Sequence, residues 1–212
     1  MLVERQDGSW PPLVLEADLN ELAFERALLA DLVAVDIETT GLDWRDDTIG
    51  TVQVHVADTT YIVRPNGRIP YRLKAVIEDS AVCKVFHHAM FDLRFLAHHW
   101  GIVPARVACT KIASKLAEPD LPCAEHSLAP LLKRRLGVSL DKSPQTSDWT
   151  GELSETQLRY VADDVRFLPE LYRRLDAELR ERDLLDLRER CYTHLPTQVE
   201  LEVGGFPDVF AY

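Results

Sequence analysis

The sequence predicts an α/β fold in which a mixed sheet is flanked by helices, and three observations carry that reading. A near-continuous apolar and β-branched run, Leu32-Val33-Ala34-Val35-Asp36-Ile37-Glu38, ends in acids, the pattern of a central strand buried on both faces. Two further strand-like segments follow it closely, which gives the chain an antiparallel start. Strand and helix patterns then alternate before the sequence turns mainly helical.

Taken in order, Leu13 to Leu15 reads as a short strand and Glu16 to Ala30 as a helix. Its apolar positions are Leu19, Leu22, Ala23, Phe24, Leu28 and Leu29, with Asp18 or Asn20 as cap. After the central strand, Thr39-Thr40-Gly41 turns the chain. Ile49 to Ala57 and Thr60 to Val63 read as strands joined at Asp58-Thr59. A helix near Leu73 to Glu78, a strand Val82 to Phe86, a helix Ala89 to His99 and a short strand within Val103 to Cys109 supply the alternation. Helices then cover Ile112 to Ala117, Ser127 to Leu136 and a long stretch from Ser154 to about Arg182 that Pro169 should split. Glu118 to Glu125 and Asp141 to Gly151 read as loops, and the partly apolar tail Leu195 to Tyr212, with Gly204-Gly205, as a segment that docks.

The 212 residues, 46% of them apolar, fit one domain over 1–212, with a core of about 13–182 and a C-terminal helix and docking tail over 183–212. No apolar run is long enough to cross a bilayer, and the start lacks the layout of a secretory signal, so the expected location is the cytoplasm. Cys83, Cys109, Cys123 and Cys191 are too far apart in sequence for a zinc knuckle or a redox pair, and read as reduced thiols. A net charge of −11 disfavours a generic long-duplex binder. It does not exclude a short nucleotide substrate, because divalent cations reverse the local sign of a carboxylate-rich site.

Five residues stand out as chemistry. Asp36 and Glu38, two apart on a strand, point to one face at the strand's C-terminal end, where open α/β sheets present ligand sites. Asp92 shares a helix face with Phe95, Leu96 and His99, so a carboxylate interrupts an apolar stripe and needs a cation or hydrogen bonds. Tyr160 and Asp164 are four apart on the long helix, and Asp164 interrupts the stripe of Val161, Val165 and Leu168. Tyr172 and Asp176 share that spacing but lie in a more polar setting, and Asp163 should face away.

Four inward carboxylates suit two hard divalent cations that stabilise the attacking and leaving oxygens of a phosphodiester displacement. The tyrosine is a poor base at neutral pH and is cast as a group that orients the attacking water.

Asp36-Ile37-Glu38-Thr39-Thr40-Gly41-Leu42, the segment Phe86 to Leu96, and Tyr160-Val161-Ala162-Asp163-Asp164-Val165 resemble, in order and spacing, the three exonuclease motifs of the DEDD superfamily. The match covers residues 30 to 180. Tyr160 is similar to the tyrosine of the DEDDy branch, to which ribonuclease D belongs; a histidine-type member would carry histidine where this chain has Arg159. Ser147-Asp148-Trp149 with Leu153-Ser154 and Gln157 is similar to the ribonuclease D pattern before the third motif. Cys109 to Leu116, and Cys191 to Pro196 through Phe206, Asp208 and Phe210, resemble the single-domain nanoRNase C group.

The resemblance implies an RNase H-like (DnaQ-like) mixed sheet flanked by helices, two Mg²⁺ or Mn²⁺ ions held by Asp36, Glu38, Asp92 and Asp164, and a catalytic role for Tyr160. It implies 3'-5' release of nucleoside 5'-monophosphates from short single-stranded RNA, dinucleotides included, by a homo-oligomer built as an octameric ring. Substrate positions fall on Thr39, Leu42, His88 and Arg94, with Leu42 matching a leucine that wedges between the last two bases. His88 stands where ribonuclease D-type proteins commonly have asparagine.

Three rival readings compete with this one. A zinc hydrolase would use His87, His88, His98 or His99 with Asp92, but adjacent helical histidines diverge. A non-catalytic scaffold would not need all five residues. An exonuclease acting on longer RNA or on DNA would need a local basic track, for which Arg94, Lys111, Lys115, Lys133, Arg134 and Arg135 are candidates.

Overall fold

A computed structural model describes residues 11–140, 148–206 and 208–210. The expectations for Ser147, for the first part of the 141–151 loop and for the end of the tail lie outside them. The strands are β1 (Leu13–Glu16), β2 (Leu32–Thr39), β3 (Ile49–Val56), β4 (Thr59–Arg64), β5 (Cys83–Phe86) and β6 (Val107–Cys109). The helices are α1 (Glu21–Leu29), α2 (Tyr71–Glu78), α3 (Ala89–Trp100), α4 (Thr110–Ala117), α5 (Leu128–Leu136), α6 (Glu155–Arg166), α7 (Leu168–Glu181) and α8 (Leu185–Val203), with a 3₁₀ turn at Cys123–His126.

The strands form one sheet in the order β1-β4-β3-β2-β5-β6. β2 is antiparallel to β3 and parallel to β5, so the sheet changes character at the strand that carries Asp36 and Glu38. Val33, Ala34 and Val35 are fully buried, as the apolar run requires for a strand covered on both faces. This is the mixed-sheet layout that the resemblance implies. Among the described residues no helix is long and apolar enough to cross a membrane, and all four cysteines are unpaired thiols.

Local chemistry moves several boundaries. α1 begins at Glu21 rather than Glu16, because β1 continues to Glu16 and Ala17 turns the chain at φ 69°. The Glu16 carboxylate pairs with Arg64 at 3.1 Å. Asn20 is the α1 cap, accepting from Ala23 N at 2.8 Å. Asp18, the other candidate, instead accepts from Arg72 N and Leu73 N at 2.8 and 3.1 Å. It thereby satisfies the first turn of α2, whose own N-cap residue, Pro70, makes no side-chain cap bond.

The long helical stretch divides at Phe167, with Pro169 in the first turn of α7, where its missing N–H is harmless. The docking tail expected from Leu195 onward is helical as far as Val203, because α8 continues through Pro196. Tyr192, Leu195 and Val199 form a buried stripe that packs on α3, α4, α7 and β6, and this packing outweighs the proline's disruption. Beyond it Phe206, Val209 and Phe210 stay 50–66% exposed, although Phe210 meets the His194 ring at 5.7 Å.

Candidate active site

The site lies at the C-terminal ends of β2 and β5, which run parallel and therefore finish on the same side of the sheet. β2 presents Asp36 and Glu38 opposite Gln53 and Thr51 of β3, and its register shifts between Glu38 and Thr39. The loop after β5 leads through His87 and His88 into α3, whose first turn carries Asp92. α6 crosses β2, β3 and β4 and brings Tyr160 and Asp164.

Oxygen atoms of Asp36, Glu38 and Asp164 lie within 4.8 Å of one another. Asp92 is 2% exposed and interacts with the charges of Asp36 and Glu38. All four expected acids therefore meet in one cavity of about 670 Å³, together with Tyr160, Thr39, Leu42 and His88. The dominant physical fact there is the burial of carboxylates, with their mutual repulsion second. Burial first, then Asp92, Asp164 and Glu38, hold the Asp36 carboxyl well above the usual carboxylate range. Burial, then Asp164 and Asp92, push Glu38 up to about 8. Burial pushes Asp92 up to about 8 against hydrogen bonds from the backbone of Asp92 and Ile37.

The donor set fits hard divalent cations. Asp92 Oδ1 is buried without a hydrogen-bond partner, which an acid tolerates only if something positive belongs beside it. Every donor in the group is a carboxylate oxygen, the chemistry that favours Mg²⁺, Mn²⁺ or Ca²⁺ over zinc. The histidines of the zinc rival diverge: His87 meets Thr110 at 2.9 Å, His99 meets the Asp47 carbonyl at 2.8 Å, and His98 packs edge-on to Trp44.

Tyr160 is hydrogen-bonded to Asp164, and burial, Asp164, Glu38 and Asp36 all raise its pKa, so its hydroxyl keeps its proton. Its ring stacks on Trp149, which is 2% exposed. Ser154 and Gln157 form a capping box at the start of α6, and Gln157 Nε2 donates to the Asp148 carbonyl at 2.8 Å. The ribonuclease D-like pattern thus fastens the Asp148-Trp149 segment to the helix that carries the tyrosine. Gly50 completes the fit, since a Cβ there would lie 2.7 Å from Trp149 Cβ and 2.8 Å from its carbonyl oxygen.

Around the acids, Thr39 Oγ1 donates to the Gly41 carbonyl at 2.5 Å. Asp47 packs where a side chain on Gly41 would stand, and it accepts from Asp43 N at 3.0 Å, which shapes the loop bearing Leu42. Leu42 is 83% exposed at the cavity edge. His88 stacks near Phe91 and is held below its usual pKa, by burial first and then by Lys111 and Arg94.

Arg94 is not among the described residues that line the cavity, although its charge acts on His88 there. Its Nε donates to the Met90 carbonyl, and its guanidinium pairs with Glu202 of α8 at 3.1 Å. Arg134 and Arg135 are likewise engaged by Glu118, Glu125 and Glu178. Among the described lining residues Lys111 is the single Lys or Arg. The sequence offered Lys111 only as one of six basic candidates, and offered Trp149 only as part of a pattern. Asp163 faces away and pairs with Arg166, and Asp176 is bound by Arg180 and Arg188, so the second tyrosine–acid spacing is structural.

A 3'-5' exonuclease family model matches residues 13–180. NrnC of Brucella melitensis bound to pGG is 35% identical, with a TM-score of 0.87 over 95% of this chain and 98% of that one. The same protein with bound Mg²⁺ gives 34% identity and a TM-score of 0.86. DNA polymerase I of Aquifex aeolicus is 34% identical over 206 residues, and ribonuclease D of Pseudomonas paraeruginosa 31% over 155. These alignments take in 87% and 70% of this chain, but only 34% and 39% of the two longer proteins.

Proposed function

The chain belongs to the 3'-5' exonuclease family, and from that premise we propose that it releases nucleoside 5'-monophosphates from the 3' end of short single-stranded RNA, down to dinucleotides. One observation carries the reading. The four-acid cavity holds about 670 Å³, room for a short substrate, and among its described lining residues Lys111 alone is a Lys or Arg, which supplies little of the basic track that a long strand needs. The net charge of −11 points the same way, and NrnC, bound to pGG, is the structural neighbour that supports it.

Asp36, Glu38, Asp92 and Asp164 would hold two divalent cations, Mg²⁺ or Mn²⁺. Bound there, such a pair supplies positive charge to the attacking and leaving oxygens of the displacement. The chain's own groups do the rest. Tyr160, kept protonated, donates to Asp164 and leaves its oxygen lone pairs to accept from the attacking water and fix its direction. Leu42 stands out from its loop to insert beside a base, and Thr39 lines the same wall. His88, uncharged at neutral pH, offers a hydrogen bond in place of an asparagine amide. Lys111 counters a phosphate other than the one being cut.

A homo-oligomer, the octameric ring of the resemblance, is part of this proposal. The exposed Phe206, Val209 and Phe210 supply apolar surface for it, and the mass in solution decides it.

The test is Mg²⁺-dependent release of a mononucleotide from a labelled dinucleotide, with Asp36→Ala as the inactive control. Equal activity in that variant would overturn the site. The likeness to DNA polymerase I favours a second reading, an exonuclease on DNA or on longer strands. Catalytic efficiency that climbs steadily from two to ten nucleotides, or that is higher on DNA, selects it.

A further inference from the structure

A second cavity, of about 550 Å³, opens at the opposite end of β2. Asp31 and Leu32, at the start of the strand, line it. Asp36 and Glu38 lie four to six residues further on, about 13–20 Å away at the rise of a strand. This cavity inverts the charge of the chain: Arg106, Arg173 and Arg188 face it against Asp31 and Glu189, within a protein of net charge −11. Half-buried Tyr172 also lines it, whereas Tyr192 beneath is 4% exposed, with the Arg188 guanidinium 5.4 Å over its ring and its hydroxyl donating to the Cys109 carbonyl.

The three arginines differ in their engagement. Arg188 is tied to Asp176 and Glu189, yet its Nε is buried without a hydrogen-bond partner. Arg173 reaches Glu170 only at 3.8 Å, with both side chains 66% exposed. Arg106 has no carboxylate partner among the described residues, and its Nη1 donates to the Ala81 carbonyl. Its backbone sits at φ 46°, in the left-handed region that is strained for a non-glycine residue. The ladder holds it there, since its carbonyl accepts from Lys84 N at 3.0 Å. A strained arginine without a carboxylate, at a cavity with an aromatic wall, is a reason to look for an anionic aromatic ligand.

We propose that this cavity binds a nucleoside 5'-monophosphate, independently of metal. The Arg106 guanidinium takes the phosphate, the geometry guanidinium groups match best, and the ring of Tyr172 takes the base. One guanidinium without a carboxylate partner among the described residues suits one phosphate, and the volume falls within the range of small-molecule sites. Asp31 and Glu189 do not form a metal-holding group; among the described residues that grouping occurs at Asp36, Glu38 and Asp164. The choice of ligand rests on the proposed product, although binding is read without turnover.

The experiment is calorimetric titration of the full chain with guanosine 5'-monophosphate in EDTA. Arg106→Gly is the variant, because glycine removes the guanidinium while suiting the positive φ. One equivalent should bind to the parent chain, at least about ten-fold more weakly to Arg106→Gly, and guanosine or inorganic phosphate alone should bind more weakly still. Dinucleotide turnover by Arg106→Gly, without added mononucleotide, should match the parent. Absence of binding at millimolar nucleotide, equal binding by the variant, or loss of binding in Asp36→Ala overturns the site. Failure of the exonuclease reading would appear separately, as normal titration with no Mg²⁺-dependent turnover.

Discussion

The indole of Trp149 and the ring of Tyr160 are stacked, their centroids 5.9 Å and their planes 26° apart, and Gly50 leaves the space in which the indole sits. Gly50→Ala should therefore act on Tyr160 without touching substrate. Its methyl group meets backbone and Cβ atoms that cannot swing aside, so the indole must shift by a fraction of an ångström or more. We expect kcat on a dinucleotide to fall at least about ten-fold with KM little changed, since small misplacements near reacting atoms are amplified. Steady-state kinetics on a variant whose melting shows it folded checks this; unchanged kcat would mean that the stacking does not place the tyrosine.

The acids predict an unusual stability profile. Glu38 and Asp92 have folded pKa values of about 8 against ordinary values of 4.5 and 3.8, so the folded state binds more protons than the unfolded one between those limits. Stability is then fully present below about pH 4 and is lost as pH rises through about 8. In EDTA, the melting temperature should drop between pH 5.5 and 8.5. Added Mg²⁺ or Mn²⁺ should raise it more at pH 8.5 than at 5.5. A flat profile in EDTA would show that the carboxylates do not repel one another in the folded protein.

Removing one charge from the cluster should separate stability from activity. Glu38→Gln is expected to lose turnover by about a thousand-fold or more, as fits a ligand whose loss undoes metal catalysis. The same change should raise the melting temperature in EDTA at pH 8.5 by a few degrees, at about 2–4 °C per kcal/mol for a chain of this size. Melting curves in chelator and kinetics in Mg²⁺ test the two halves independently.

Lys111 is the Lys or Arg among the described residues that line the cavity, so its worth depends on the substrate's charge. Lys111→Ala should raise KM about ten-fold for a 5'-phosphorylated dinucleotide and much less for one lacking the 5'-phosphate, consistent with one charge-assisted hydrogen bond. Equal effects on both would place the lysine elsewhere in the pathway.

Arg94 gives the contrasting case. Its pairing with Glu202 joins α3 to α8, and both side chains are about a quarter exposed. Arg94→Ala should leave KM within about two-fold and cost about 0–1 kcal/mol of stability, the usual range for such a pair. A large rise in KM would show that the pair opens when substrate binds.

How much of this was legible in the chain depends on the range of each cause. β2 and its acids could be read because burial on both faces and a two-residue period are local properties of Leu32 to Glu38. Asp92 and Asp164 could be read as intrusions on apolar stripes, and both are buried. Arg94 misled because the residue that engages it, Glu202, lies more than a hundred positions away. Asp18 misled likewise: it sits where a cap for α1 belongs, yet serves a helix 54 residues later. Gly50 carried no signal, since its reason is a tryptophan brought against it by tertiary packing. Pro196 lies inside α8 although local propensity disfavours it there, because the buried stripe of the helix overrules that preference.

The four carboxylates come from positions 36, 38, 92 and 164, so three are in place once the sheet and α3 have assembled, and the fourth arrives only when α6 docks. That docking step brings like charges together, and it is held against their repulsion by the burial of Val161 and Val165 and by the Ser154–Gln157 capping box, so the loss of cations loads α6 first. A chain starved of divalent ions should fray there before its strands separate, and the nuclease centre would then be the latest part of the molecule to mature and the earliest to be lost.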